Sequence, residues 1–410
     1  MRQRYSLRRL VLWFSGALVG AQATIIAVLV FISEQRKRRA APADFPHQRR
    51  QIAEVDGNDV RIYTYGQDLY NAMLAAIDGA RETIFFETFI WKGDPIGQTF
   101  KERLARKAAE GVNVYVIFDS FANLVVPPRF KRFPEAINTL EFRRLDRVWY
   151  LLDPRRYARD HRKLLVVDHE IGFIGGFNIG KLYATEWRDT HLRMRGPAAL
   201  ELAYTFVDFW NNNREHRPAI EPVVQRPWPQ RIKVHRNDPA RLIFPIRGMY
   251  LDAIERARHH IFLTNAYFIP DRVILSALIA AAQRGVDVRV LLPWQSNHVT
   301  ADWLARGYFG ICLRSGVRIF GFKNAMIHAK TATIDGEWST VGTANLDRLS
   351  LAGNYEINVE IYDADFAADM EHIFMTDLTN AFELMLERWQ RRSALIWISE
   401  KILSPLRPLL

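Results

Sequence analysis

Two short stretches carry the side chains best suited to joint chemistry. One is His161-Arg-Lys163-Leu-Leu-Val-Val-Asp168; the other is His328-Ala-Lys330-Thr-Ala-Thr-Ile-Asp335. Both read His-x-Lys-x4-Asp. In an extended strand, residues i and i+2 face the same side. His161 and Lys163 can therefore look into one cleft, and so can His328 and Lys330. The apolar run after each lysine would anchor its strand in a core. Asp168 and Asp335 fall where the strand ends and the chain turns, and Asp335-Gly336 suits a hairpin. For these two aspartates a direct chemical role and a turn-holding role are both open.

The two stretches share a frame. His328 follows His161 by 167 positions. The same offset relates Lys163 to Lys330, Asp168 to Asp335, Gly175 to Gly342, Asn178 to Asn345 and Asp189 to Glu356. A lone match to the pattern is weak. Two copies in one ungapped frame, with matching partners, describe a duplicated half-site.

The residue types point to phosphoryl chemistry. An imidazole can attack phosphorus and form a phosphohistidine. A second imidazole on the opposite side can protonate the leaving alcohol, then deprotonate the incoming one. Lys163, Lys330 and the amides of Asn178 and Asn345 can stabilise charge on the non-bridging oxygens. A carboxylate beside each imidazole would orient it and stabilise its protonated form. Asp189 and Glu356, each 28 residues after a histidine, are the candidates, with a structural role as the alternative. These groups call for no metal and no other cofactor. His191, His235, His259, His260 and His298 show no metal-ligand spacing and read as structural or exposed.

The surrounding pattern must bring the half-sites together. Residues 70–80 read as a helix, 83–91 as a strand, 96–110 as a helix stopped by Gly111, and 112–118 as a strand. The order returns: helix 250–258, strand 261–269, helix 273–284 stopped by Gly285, strand 286–292. Glu110-Gly-Val-Asn-Val-Tyr-Val-Ile and Arg284-Gly-Val-Asp-Val-Arg-Val-Leu mark the repeat. A strand–helix–strand unit used twice predicts an α/β fold. The predicted organisation is a membrane anchor at 1–39, a linker at 40–48, one domain at 49–216, a Pro-rich joint at 217–231, a second domain at 232–392 and an apolar tail at 393–410. The tail, with Trp397, Ile398, Ile402, Leu403 and Leu406, suits either a membrane surface or the protein body.

Composition narrows the partners. Nearly half of the 410 residues are apolar, so a packed core is expected rather than disorder. The net charge of +11 suits nucleic acid, anionic lipid or a phosphorylated substrate without choosing among them. Arg129, Lys131, Arg132, Arg143, Arg144, Arg147, Arg155, Arg156 and Arg159 form a basic stretch ahead of His161. Most of it reads as a solvated face; part could steer an anionic substrate. Cys312 is the single cysteine, which excludes an intramolecular disulfide and a cysteine-based zinc site.

Residues 10–32 hold no charged side chain and are long enough to cross a hydrocarbon core of about 30 Å. They exceed a usual signal-peptide apolar region and a basic cluster follows them, so a single-pass anchor in the cell membrane is the better reading. Arg2, Arg4, Arg8 and Arg9 before it nearly balance Arg36, Lys37, Arg38 and Arg39 after it. The positive-inside rule gives the cytoplasmic face only a slight preference.

The paired motifs resemble the phospholipase D superfamily. Phe86-Glu-Thr-Phe-Ile-Trp91, Trp187-Arg-Asp-Thr-His191, Tyr267-Phe-Ile-Pro270, Gly342-Thr-Ala-Asn-Leu-Asp347 and Asn354-Tyr-Glu-Ile-Asn358 narrow this to bacterial cardiolipin synthases of the phospholipase D type. The resemblance covers roughly residues 55–410. It implies two phospholipase D-like α/β domains related by a pseudo-two-fold axis, with one site between them. It also implies transfer of a phosphatidyl group from one phosphatidylglycerol to another, with His161 as nucleophile and His328 as general acid/base. An anionic phospholipid substrate and a membrane are the expected partners, and nucleic acid is not. A hydrolytic phospholipase D, or an anchored nuclease, would use the same residues; the oligomeric state stays open. The chain departs from the family in having one apolar segment rather than two or none. It also has Asn297, with no aspartate beside it, in the stretch Trp294-Gln-Ser-Asn297-His298.

Overall fold

Aspartate caps start the repeated helices, and the glycines read as their stops end them. Asp94 accepts from Gly97 N (3.0 Å) and Asp271 from Val273 N and Ile274 N (2.8 and 2.9 Å), each satisfying orphan amides at a helix start. Gly111 (φ +94°) and Gly285 (φ +92°) take the left-handed conformation that lets the chain leave the helix. The structure is a computed structural model and describes residues 7–39, 43–48, 51–142, 157–223 and 231–409. Arg143, Arg144, Arg147, Arg155 and Arg156 of the basic stretch, and residues 224–230 of the Pro-rich joint, lie outside the described residues.

The first part of the chain contributes α1 (Leu7–Arg39), β1 (Gln51–Val55), β2 (Asn58–Tyr65), α2 (Gly66–Gly79), β3 (Thr83–Thr88), α3 (Pro95–Ala109), β4 (Asn113–Asp119), β5 (Ile137–Phe142), β6 (Leu164–Val167), β7 (Ile171–Gly175), α4 (Lys181–Thr185), β8 (Trp187–Arg195) and α5 (Ala198–Asn213). The second contributes β9 (Ile232–Arg236), α6 (Pro245–Arg256), β10 (His260–Asn265), α7 (Arg272–Gln283), β11 (Asp287–Pro293), α8 (Val299–Arg314), β12 (Arg318–Phe322), β13 (Met326–Ile327), β14 (Lys330–Ile334), β15 (Trp338–Gly342), α9 (Arg348–Ala352), β16 (Ile357–Tyr362), α10 (Ala364–Thr379), β17 (Ala381–Glu383), α11 (Leu386–Gln390) and α12 (Ala394–Leu403).

One sheet runs β1-β2-β8-β7-β6-β3-β4-β5 and the other β17-β12-β11-β10-β14-β15-β16-β9. The runs β8-β7-β6-β3-β4-β5 and β16-β15-β14-β10-β11-β12 match strand for strand. The fold is thus two α/β halves with pseudo-symmetric sheets. In each, parallel strands made by the strand–helix–strand unit continue into antiparallel strands that carry the His-x-Lys motif.

The halves exchange backbone contacts. β13 pairs in parallel with β8 of the other half, Ile327 opposite Arg188. Asp160 forms the equivalent bridge to Tyr355. The two pairings are one contact made twice, related by the 167-residue offset. Three buried clusters support this. The α2 and α3 residues Leu69, Tyr70, Phe100 and Leu104 cover Ile84, Phe86, Val114 and Val116. The α6, α7 and α8 residues Ile246, Tyr250, Ile274, Leu278 and Phe309 cover Ile261, Leu263, Val288 and Val290. Between the sheets, Phe206 and Trp210 of α5 share a core with Ile357, Val359, Ile361 and Phe366 from the second half. Removing that apolar surface from water, worth about 25 cal/mol per Å², holds the halves together.

Helix α1 contains a window, Ser15–Gln35, of mean hydropathy 2.1, long and apolar enough to cross a membrane by length and composition. Part of it packs on the body: Leu29 joins the second-half core and Gln22 Nε2 donates to Ile402 O (3.0 Å). Trp13, Val19 and Phe31 are exposed. The C-terminal tail divides the same way. Leu403 is buried, whereas Leu395, Trp397 and Ile398 are exposed. The stretch read as a linker is docked, with Phe45 buried and the His47 ring stacked 4.0 Å from Tyr65.

Candidate active site

The motif lysines sit at the mouths of central strands, where hydrogen-bonded neighbours on both sides leave no freedom of register. Lys163 and Lys330 are almost fully buried, and each Nζ donates to the carbonyl of its own motif histidine. That bond expresses the i, i+2 spacing: both side chains leave the same face of one strand. Burial pulls the Lys163 ammonium down to about 7 and that of Lys330 to about 8, with Glu356 and Asp189 opposing the shift. An ammonium so poorly hydrated has much to gain from a phosphate.

Both candidate carboxylates lie against the imidazoles, and the pairing is crossed. His161 Nδ1 lies 2.9 Å from Glu356 Oε2, and His328 Nδ1 lies 2.6 Å from Asp189 Oδ2. Each half therefore orients the other half's histidine. The exchanged backbone contacts enforce this. His161 N donates to Tyr355 O (3.0 Å), one residue before Glu356, and His328 N donates to Arg188 O (2.7 Å), one residue before Asp189. With Nδ1 engaged by a carboxylate on both rings, Nε2 is the reactive nitrogen of each.

The half-sites differ electrostatically. Burial, with Lys163 and Lys330 close by, holds the His161 imidazole well below its usual range. Burial also takes Glu356 up to about 8, against Lys163 and the Thr343 hydroxyl. Desolvation thus disfavours the charged form of both partners. In the other pair, burial would raise Asp189, but His328 and Lys330 outweigh it and hold the carboxyl at about 2. Burial and Lys330 push His328 down to about 3 despite Asp189. Burial thus disfavours charge on both imidazoles and on Glu356, whereas the cationic neighbours of Asp189 favour its ionised form.

The two asparagines lie just after β7 and β15. Both are buried, and Asn178 Oδ1 accepts from Ile90 N (3.1 Å), which commits its acceptor end to the backbone. Among the described residues, Asn345 Oδ1 finds no partner. Of the two roles open for the motif aspartates, the turn-holding one is seen. Asp168 accepts from the backbone amides of Arg81, Glu82 and Thr83 at 2.8–2.9 Å, and Asp335 from those of Arg258, His259 and His260 at 2.7–2.8 Å. They stand at the far ends of β6 and β14 from the histidines. Their oxygens are taken up pinning the starts of β3 and β10. Both adopt positive φ (51° and 54°) in the hairpin, as a type I′ turn requires.

Several site residues are not evident from spacing. Phe89 (4.7 Å from the His161 ring), with Trp187 and Tyr267 (5.1 and 6.4 Å from His328), wall the imidazoles. Arg188 makes a buried bidentate pair with Asp377 of α10 (2.9 and 2.6 Å), tying β8 to the second half next to Asp189. Gly176 leaves room for Asp189: a Cβ there would lie 2.0 Å from Oδ1. Its counterpart Thr343 donates to Glu356 Oε2 (2.5 Å). Arg188 and Thr343 stand inside recurring sequence segments, but their partners are distant in the chain. Among the described residues, no three His, Cys, Asp or Glu side chains come together to hold a metal ion.

Comparison with known proteins agrees with this geometry. The family model described as "Cardiolipin synthase, PLD-like domain" matches residues 73–210 and 250–378, once in each half. A cardiolipin synthase of Listeria welshimeri is 33% identical over 364 residues, covering 86% of this chain and 76% of that protein. One of Staphylococcus aureus is 32% identical over 376 residues, covering 86% and 74%. A crystal structure of phosphatidylserine synthase from Haemophilus influenzae superposes with a TM-score of 0.65 over 92% of this chain and 97% of that one; at 12% identity it speaks to the fold alone. A duplicated sheet, two His-x-Lys motifs meeting through crossed carboxylates, and a family match in both halves lead to one conclusion: the chain belongs to the cardiolipin synthase family of the phospholipase D superfamily.

Proposed function

We propose that this enzyme moves a phosphatidyl group from one phosphatidylglycerol to the hydroxyl of a second, releasing glycerol and forming cardiolipin, while α1 anchors it in the membrane. The observation that carries the reading is the crossed pair of histidine–carboxylate contacts, which joins two half-sites into one centre suited to two successive displacements at phosphorus.

In the first step the Nε2 lone pair of His161 attacks phosphorus. The P–O bond to the glycerol headgroup breaks, and the departing oxygen takes the proton from Nε2 of protonated His328. A phosphohistidine results. In the second step the acceptor hydroxyl passes its proton to His328 and attacks phosphorus. The P–N bond breaks and His161 is regenerated. Lys163, Lys330, Asn178 and Asn345 stabilise the non-bridging oxygens. The arriving phosphodiester anion offsets the lysines' charge, which favours protonation of His328 next to ionised Asp189. His161, held low by burial beside a Glu356 carboxyl that burial raises, keeps its lone pair. This difference supports His161 as nucleophile and His328 as acid and base.

The test is incubation of the purified full-length chain in detergent with labelled phosphatidylglycerol, and separately with an oligonucleotide. Cardiolipin plus free glycerol is expected. Phosphatidic acid without cardiolipin would replace transfer by hydrolysis. Cleavage of the oligonucleotide with no lipid product would overturn the lipid reading. His161→Ala and His328→Ala should each abolish turnover.

A further inference from the structure

The turn that follows β4 carries an apolar tip that the reaction does not use. Phe121, Leu124 and Val125 are 55%, 69% and 81% exposed, next to one another at the end of a strand. Exposed clusters of this kind mark interaction surfaces. The tip does not hang loose. Leu124 N donates to Phe121 O (3.3 Å), Val126 N to Asn123 O (3.1 Å), and Val126 is buried beneath. The turn is held rigidly with its large side chains outward.

Its base is joined to the catalytic centre. The buried Asn123 donates to Phe89 O (2.8 Å) and accepts from Trp91 N (2.8 Å); the Phe89 ring lies 4.7 Å from that of His161. Asp119 accepts from Ala122 N (3.0 Å) in the turn and from Asp160 N (3.1 Å), the residue before His161. The tip therefore stands on the rim of the cleft.

Charge around the tip selects the occupant. The Arg159 guanidinium lies 4.2 Å over the Phe121 ring, and Arg129, Lys131 and Arg132 follow within a few residues, against the acidic Glu135 and Glu141. Apolar side chains with a guanidinium on Phe121 and basic residues close by in the chain suit the boundary of an anionic bilayer. The equivalent rim of the second half agrees. After β11 the chain passes Asn297, which accepts from the Tyr267 hydroxyl (2.6 Å) beside His328, and enters α8. Helix α8 packs against α1 and α12, whose outer faces expose apolar side chains.

We propose that the 120–126 turn enters the surface of an anionic phospholipid bilayer through Phe121, Leu124 and Val125, setting the cleft down on the membrane so that a lipid headgroup reaches His161. This rests on the reading that the substrate is a bilayer phospholipid. The contact itself can be measured whatever the reaction proves to be.

The native Cys312 is buried, so a cysteine introduced at the tip can be labelled selectively. Full-length Leu124→Cys carrying an environment-sensitive fluorophore is placed in phosphatidylglycerol-containing vesicles with nitroxide-bearing lipids. A blue shift and quenching are expected there, but not for Glu102→Cys on the exposed face of α3. A Leu124 probe as unquenched as the Glu102 probe would overturn the proposal. So would shielding that follows protein concentration and not lipid, which would put a second copy of the chain on the tip. The double variant Leu124→Asp/Val125→Asp should raise KM for bilayer substrate roughly tenfold or more and leave turnover of a short-chain, monomeric phospholipid unchanged. Equal activity on bilayers would likewise overturn it. If no lipid is turned over even by the unmodified chain, the reaction reading fails while the fluorescence still decides the contact.

Discussion

The His161 imidazole is oriented by Glu356, a carboxylate 195 residues away in the chain and supplied by the opposite half, at 2.9 Å. Its counterpart, His328 with Asp189, repeats the exchange at 2.6 Å. Neither half supplies the carboxylate for its own motif histidine. Duplication has built one candidate site from two incomplete ones, and both halves must be docked to form it.

Replacing the orienting carboxyl groups should cost rate rather than fold. Asp189→Asn and Glu356→Gln keep shape but alter the tautomer preference of the partner ring. Turnover should fall about 10³–10⁴-fold for each, as when a triad carboxylate is neutralised. Steady-state kinetics with circular dichroism as a folding control checks this. The crossing has its own signature: the Nδ1–H resonance of His328 should be lost in Asp189→Asn while that of His161 persists.

The motif aspartates should behave in the opposite way. Asp168→Ala or Asp335→Ala removes three backbone hydrogen bonds at a strand start. Both carboxylates are partly solvated, so the loss should be about 1–3 kcal/mol of stability, with near-normal turnover per folded molecule. Thermal unfolding and activity below the transition separate the two effects. A turnover loss matching that of the histidine variants would place these carboxylates in the chemistry.

The buried lysines make stability depend on pH with a definite sign. The Lys163 ammonium falls to about 7 from 10.5 on folding. Between those values the unfolded chain binds more protons, so this residue's contribution to stability rises with pH. The cost is full below about 7 and fades towards 10.5. Lys163→Met should therefore flatten the slope of melting temperature against pH between about 7 and 10. Glu356, raised to about 8, acts with the opposite sign from 4.5 to 8. Inorganic phosphate in the site should restore the ammonium form and reduce the lysine slope. Substrate affinity should weaken above about pH 8 as both lysines lose their charge.

The Arg188–Asp377 pair should be a structural clamp between halves. Asp377→Ala leaves a buried guanidinium unpaired and should cost about 3–5 kcal/mol. Activity should fall further than unfolding explains, because Arg188 O positions His328 and Asp189 is the next residue. The double variant Arg188→Met/Asp377→Leu should regain much of the stability. Denaturant melts on the two variants check the clamp.

Much of this architecture is legible in the chain itself. The α/β units, their caps, the duplicated frame and the identities of the two histidines, two lysines, two asparagines and two carboxylates follow from periodicity and a constant offset, because strand alternation and helix capping act over a few residues. Element ends shift by a few positions: the strand read at 83–91 stops at Thr88, where Asn123 and Asn178 take over the amides that follow.

Which carboxylate serves which histidine was decided only by the tertiary structure. Asp189 and Glu356 each stand 28 residues after one histidine yet orient the other, because β13 and the bridge at Asp160 cross between halves. The difference between the half-sites, with the Glu356 carboxyl raised and that of Asp189 lowered, arises from burial and from the placement of His328 and the two lysines. The demotion of Asp168 and Asp335 is likewise spatial: their partners are amides more than seventy residues distant. Local spacing dictates which residues face a cleft. Packing of one half on the other dictates what those residues meet there, and that contact sets the charge each of them carries.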